Sequence, residues 1–263
     1  CPKCGKPMRA AEKLPVCEMS TTADHSRALS PADTTAFGTR SRQPIHIDVD
    51  GTHYQRMVGF GAALTDSSAW LITHRLSATQ RDALLQELFG REGQGIGLDF
   101  TRLTIGSSDF SLSHYTLDDM PRGQTDPELR HFSIAPNRGD VIPVARAALA
   151  INPHLKVMAS PWSAPGWMKT SGSLVKGTLA DAHFDAFARY LVQYTEAYAD
   201  AGIPIFALTV QNEPLARQTW ESMIFNAEQE RDFLRDHLGP TLARAGLGSR
   251  KLIVWDHNRD LIK

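Results

Sequence analysis

Cysteine is scarce in this sequence, with three in 263 residues, and so few leave the redox compartment open. Cys1 and Cys4, in Cys-Pro-Lys-Cys-Gly, form half of a zinc-ribbon pattern. A structural zinc site needs four ligands, and Cys17 has no second CxxC beside it. An excess of charge is missing too: 28 Lys+Arg against 29 Asp+Glu leave a net charge of −1. That balance argues against a nucleic-acid or anionic-membrane binder acting through bulk charge. No apolar stretch approaches the ~18 residues of a membrane-spanning helix. The ten histidines contain no HExxH and no i, i+4 pair, so neither a metal nor a cofactor is expected. Gly59–Leu64 lacks the third glycine of GxGxxG, and Lys176-Gly177-Thr178 has the Walker order wrong. Gly106-x-Ser108-x-Phe110 lacks the closing glycine of a nucleophile elbow.

What is present describes a globular chain. Apolar residues make up 42% and charged residues 22%, and a chain of this size buries roughly three quarters of its unfolded surface. Residue 1 is Cys rather than Met, so a processed chain or a fragment is expected, with residues 1–15 an unassigned leader. From Val16 to Arg42 the chain is polar, with weak strand signals and a turn expected near Ser30-Pro31. Ile45, Ile47 and Val49 alternate with polar neighbours like a half-buried strand, and Asp50-Gly51 is a hairpin signal.

Beyond this point strand and helix signals alternate. Met57–Leu64 is apolar with two glycines, and Thr65-Asp66-Ser67-Ser68 is a helix N-cap cluster. Ser77 and Gln80 make a capping box before Leu84, Leu85, Leu88 and Phe89, and Gly90 marks the stop. Leu98–Ile105, Leu155–Ser160, Ile205–Gln211 and Lys251–Asp256 read as further strands. Helices are expected over Asp140–Ile151, Ala182–Ala201, and from the Asn226/Gln229 cap to Ala245. Nearly continuous apolar strands imply a parallel sheet covered on both faces, either an open doubly wound sheet or a (β/α)₈ barrel.

In a parallel barrel the chemistry gathers at the C-terminal strand ends, and each end here carries polar residues. They are Thr65 and Asp66; Ser107, Ser108 and Asp109; Trp162 and Ser163; Asn212 and Glu213; Asp256, His257 and Asn258. Glu213 is the sharpest candidate. It follows an apolar strand directly and precedes Pro214, which places it at the barrel mouth, a partly dry setting that suits a general acid. Asn212 could hydrogen-bond a substrate hydroxyl. Trp162 and Trp220 could stack on the apolar face of a sugar, with core packing the competing role for each. Trp70 is assigned to the core.

Four motifs in series carry a family resemblance. Gly59-Phe60-Gly61-Ala62-Ala63-Leu64-Thr65-Asp66, Arg102 with Ser108-Asp109-Phe110, Ala159–Lys169 and Gln211-Asn212-Glu213-Pro214 resemble the first four strand motifs of glycoside hydrolase family 30, the family of lysosomal glucosylceramidase. Arg231-Asp232-Phe233 and Leu238-Gly239-Pro240 resemble the helix that follows. The resemblance implies a (β/α)₈ barrel over 53–263, preceded over 16–52 by strands of a β-sandwich side domain. It implies a retaining β-glycosidase acting on glucosylceramide or a related β-glucoside. Glu213 matches the acid/base position; Asp109, Trp162 and Asn212 match positions that hold the sugar; Arg102 matches an arginine that orients the nucleophile. Trp220 is expected to border the aglycone. Xylan or β-1,6-glucan cleavage is the alternative within the family, and a non-catalytic carbohydrate-binding barrel the alternative outside enzymes.

The family's nucleophile is a second Glu at the end of the seventh strand, whereas five strand–helix units account for this chain. Glu196, Glu221, Glu228 and Glu230 match no nucleophile position. The 263 residues alone are therefore expected to be inactive and poorly stable, with an exposed sheet edge. A secreted or periplasmic location follows from the resemblance, as does transient contact with a membrane surface through a lipid substrate.

Overall fold

The computed structural model describes residues 15–16, 19–28, 30–31, 35–36, 50–93 and 95–261. The expected strand at 45–49 and the cysteines lie outside them. The chain divides into two compact units, Cys1–Met57 and Val58–Lys263.

Among the described residues the first unit contains two antiparallel pairs. β1 (Pro15–Val16) pairs with β4 (Thr35–Ala36), and β2 (Met19–Ser20) with β3 (Ser30–Pro31). The turn expected near Ser30-Pro31 is instead a strand there, and the chain reverses over 21–28. Asp24 draws the reversal together: its carboxylate accepts from the Ser26 N–H at 3.1 Å and hydroxyl at 2.8 Å. Thr22 and Arg27 close it through a 3.0 Å backbone bond. Local side chain–backbone bonds of this kind decide turn positions that proline alone does not.

The second unit is a five-stranded parallel sheet: β5 (Gly61–Ala63), β6 (Phe100–Ile105), β7 (Lys156–Pro161), β8 (Ile205–Thr209) and β9 (Lys251–Ile253). The strands pair in sequence order, β5-β6-β7-β8-β9. A doubly wound sheet reverses its order at a switch point; this one never does. Of the two parallel architectures, the singly wound barrel is the one adopted, with five units present.

The helices start where the side chains cap them. Thr65 and Ser68 form a capping box on α1 (Asp66–His74), as Ser77 and Gln80 do on α2 (Ala78–Phe89). α3 (Val141–Ile151) stops at Asn152 ahead of Pro153, and α4 (Phe184–Asp200) runs for 17 residues. The helix expected from Asn226 to Ala245 runs without interruption over 227–244, with a change of hydrogen-bond pattern inside it. α5 (Ala227–Asp232) and α6 (Gly239–Arg244) flank a π-helical turn over Phe233–Leu238. Pro240 has no N–H to give to the preceding turn, and the Gly239 N–H bonds the Leu234 carbonyl, five residues back.

The core lies between sheet and helices. α4 buries Phe187, Tyr190, Leu191, Tyr194 and Tyr198 completely, beneath Leu103, Val157, Ala159, Ile205 and Leu208 of the strands. Trp70 is not part of it. It is half-buried on α1, its ring centre 5.3 Å from that of His74 in a tilted arrangement, with Arg75 at 5.0 Å; Ala69 and Ile72 hold the core side of that helix. Gly61 is obligatory at the β5–β6 seam, because a Cβ there would run into the Phe100 carbonyl. Apolar surface is open next to both edge strands: Phe60, just before β5, is 70% exposed and Val254, just after β9, 54%.

Candidate active site

The strand register explains how the site is built. Arg102 lies level with Met158, and Thr104 with Ser160. Alternation along each strand turns Leu103 and Ala159 toward the helices and their neighbours toward the opposite face. On that face Ser160 and Thr209 share a hydrogen bond between hydroxyls, and Ser160 donates to Asp256 Oδ2 at 2.8 Å. Arg102 reaches across the same face. Its Nη2 donates to Asn212 Oδ1 at 2.8 Å and to Asp256 Oδ2 at 2.5 Å. Its guanidinium also lies 4.5 Å from the centre of the Trp162 ring. One arginine thus ties the middle of β6 to the ends of β7, β8 and β9, using the planarity and multiple donors that distinguish Arg from Lys.

Glu213 is held by its backbone. Asn212 N–H donates to Pro161 O at 2.8 Å, Glu213 N–H to Asp256 O at 2.9 Å, and Ala216 N–H to Glu213 O at 2.8 Å. Glu213 has a φ of +44°, a left-handed conformation that a non-glycine residue adopts only when its surroundings enforce it. Gln211 adds a brace: its buried amide donates to the carbonyls of Trp162 at 2.7 Å and Asn212 at 2.8 Å. The third and fourth strand motifs are therefore one connected unit.

These residues open onto a cleft of about 620 Å³ lined by Arg102, Asp109, Trp162, Asn212, Glu213 and Trp220 among others. All six side chains singled out from the sequence meet there. Trp162 is 8% exposed, so it packs against its neighbours as well as lining the cleft. Ala63, Thr65, Ser68, Phe110 and Gln218 complete the lining. Asp66 points elsewhere, accepting from Ser111 Oγ at 2.7 Å and Tyr115 OH at 2.8 Å, and burial pushes its carboxyl up. Ser107 is buried against Glu221. Neither belongs to the cleft.

A family model described as the glycosyl hydrolase family 30 TIM-barrel domain matches residues 57–263. The chain belongs to glycoside hydrolase family 30. Among curated relatives, an endo-1,6-beta-D-glucanase of Neurospora crassa is 38% identical over 220 residues, covering 81% of this chain and 45% of the relative. "Putative glucosylceramidase 1" of Caenorhabditis elegans is 32% identical over 247 residues, covering 89% of this chain and 45% of the relative. Of solved structures, the endo-beta1,6-glucanase BT3312 superposes with a TM-score of 0.79 at 35% identity, over 90% of this chain and 51% of that one. SrfJ from Salmonella typhimurium gives 0.82 at 30% identity, over 94% of this chain and 55% of that one. The chain spans about half the length of these relatives.

Asp256 is the participant that sequence reasoning underused. It stands among the polar strand ends, yet no local signal assigns it the arginine. Its contact with Arg102 joins residues 154 positions apart, and only the curvature of the sheet brings them together.

Proposed function

We propose that the cleft binds the terminal glucosyl unit of a β-glucoside and that Glu213 is the acid/base of a retaining hydrolysis. The observation that carries this reading is the convergence of Glu213, Asp109, Asn212, Arg102, Trp162 and Trp220 on one cleft. Trp162 offers a ring face or edge to the apolar side of the sugar. Asp109 and Asn212 supply an acceptor and an amide for its hydroxyls. Glu213 protonates the glycosidic oxygen as the bond breaks and then deprotonates the incoming water. Arg102 orients the attacking carboxylate, and Trp220 borders the aglycone.

Retention needs a second carboxyl group ~5–5.5 Å from the first. Among the described residues the cleft is lined by two carboxyl side chains, Asp109 and Glu213, and Asp109 is assigned to the sugar. We therefore propose that these 263 residues bind β-glucosides without turning them over, and that turnover needs the family's second glutamate. In a protein carrying both, Glu213→Gln should lower hydrolysis of p-nitrophenyl β-glucoside by about 10²–10⁴-fold. Undiminished turnover by that variant would sink the assignment.

For the aglycone, glucosylceramide is the first reading, supported by the exposed apolar side chains of Phe110 (61%) and Leu215 (44%) beside Asp109 and Glu213. They suit brief contact with a lipid surface. A specific observation favours a second reading, β-1,6-glucan: the endo-1,6-glucanases are 38% and 35% identical to this chain. Initial rates of a protein carrying both glutamates on glucosylceramide vesicles, β-1,6-glucan and xylan separate the two. Preferential cleavage of the glucan replaces the first reading with the second.

A further inference from the structure

Beside the cleft lies a buried charge that the proposed chemistry does not use. Lys169 is 5% exposed, and its Nζ donates to Ser163 Oγ at 2.7 Å, Leu174 O at 2.9 Å and Ser222 O at 2.8 Å. An ammonium has three hydrogens, and all three are used. The acceptors lie on two loops. Ser163 and Leu174 belong to the loop after β7, and Ser163 directly follows Trp162. Ser222 belongs to the loop after β8, two residues beyond Trp220, whose carbonyl accepts from Ser222 Oγ at 3.1 Å. Backbone bonds run along the same seam, from Ser222 N–H to Leu174 O at 3.1 Å and from Ile224 N–H to Gly177 O at 2.9 Å.

The counter-charge is Glu221, 2% exposed. Its Oε1 receives the Ser107 hydroxyl and lies 2.6 Å from His114 Nδ1. Its Oε2 is buried with no hydrogen-bond partner among the described residues. Burying a charged pair costs several kcal/mol of solvation that an apolar pair of equal volume would not. What the lysine provides instead is directional: one group fixing three backbone or near-backbone points on two loops.

We propose that Lys169 is a positioning residue whose ammonium staples the β7 and β8 loops together, holding Trp162 and Trp220 as the two walls of the cleft. The effect on a sugar rests on the glucoside reading above; the staple itself does not. Burial pushes the Lys169 ammonium down to about 7, and the Glu221 charge opposes that fall. A neutral amine has two hydrogens for three acceptors, so the staple is complete below about pH 7 and one bond short above it. The groups facing it are Glu221 and, on the far side of the Glu221 carboxylate, His114.

The test is amide hydrogen exchange in the intact wild-type protein and in Lys169→Met, with binding of a non-hydrolysable thio-β-glucoside measured alongside. At about pH 6 the variant loses all three ammonium bonds and should speed exchange of the Ser222 and Ile224 amides at least about tenfold, the factor that one charge-assisted bond alone is worth. The α4 amides should be unchanged, and glucoside affinity should fall. In the wild type the same two amides, corrected for intrinsic rates, should loosen between about pH 6 and pH 8.5 as Lys169 deprotonates. Equal rates in variant and wild type overturn the proposal, as does faster exchange spread evenly over α4, which reports loss of fold. If the variant does not fold, the wild-type pH series decides: a rise supports the staple and a flat profile overturns it. Wild-type protein that binds no glucoside while its loop amides respond as expected supports the staple and removes the sugar reading.

Discussion

The two faces of the barrel sheet are made by the same strands and held by different physics. Toward α4, alternate residues such as Leu103, Ala159 and Leu208 meet Phe187 and three buried tyrosines, and stability is spread over many dispersion contacts. On the other face, Arg102, Ser160, Thr209, Asn212 and Asp256 make a few directional bonds. An apolar face loses stability in proportion to the volume removed. A polar network loses order when one member is taken away, because its partners are left unsatisfied. The first face therefore sets whether the chain folds, and the second sets where Glu213 and Trp162 stand.

Four measurements sharpen or break that contrast. Phe187→Ala opens a cavity under the sheet and should cost about 3–5 kcal/mol in urea unfolding, with fluorescence of the folded fraction unchanged. Arg102→Met leaves Asp256 and Asn212 without their shared donor. Because Arg102 and Asp256 are 21% and 23% exposed, the cost should be smaller, about 1–3 kcal/mol, but the Trp162 environment should change in the folded state. A loss as large as that of Phe187→Ala would mean the polar face carries the fold after all.

Glu230 supplies a pH-dependent version of the contrast. It is 5% exposed on α5 behind Asp256, and burial pushes its carboxyl up from 4.5 to about 7, against a Trp255 backbone bond that lowers it. The unfolded chain releases this proton near 4.5 and the folded chain near 7, so the folded state binds more protons in between. Its contribution to stability is fully present below pH 4.5 and is lost as the pH rises through 7. Glu230→Gln should therefore raise the Tm at pH 8 by a few degrees and change it little at pH 4.5; equal shifts at both would refute the burial argument. The smallest effect belongs to the surface. Ser77→Ala removes the α2 cap and should cost about 1 kcal/mol or less with no change at the cleft.

Much of this was legible along the chain because it is local. Capping boxes at Ser77/Gln80 and Asn226/Gln229 join residues three apart, and both occur as the sequence implies. The strands announce themselves as short apolar runs, and the barrel rule directs attention to Glu213 and Asn212 at their ends. The misreadings were places where a local signal was outweighed. Ser30-Pro31 carries turn residues, but Asp24 captures the reversal. Trp70 is aromatic and lies on a helix, but the smaller Ala69 and Ile72 hold the face toward the core. The helix after Asn226 is not a misreading: it starts and stops where the sequence implies, and Pro240, by removing a donor, only shifts the bonding to five residues back over one turn.

The sequence by itself determined the alternation of strand and helix, the family, and which side chains are candidates, since each depends on neighbours a few positions away. Tertiary structure alone decided that the strands run in order without a switch point. It also decided that Asp256 meets Arg102, and that Lys169, unremarkable within its motif, is buried between two loops. Those outcomes depend on register across the sheet and on the loss of water from particular charges. Both arise only when distant segments come into contact.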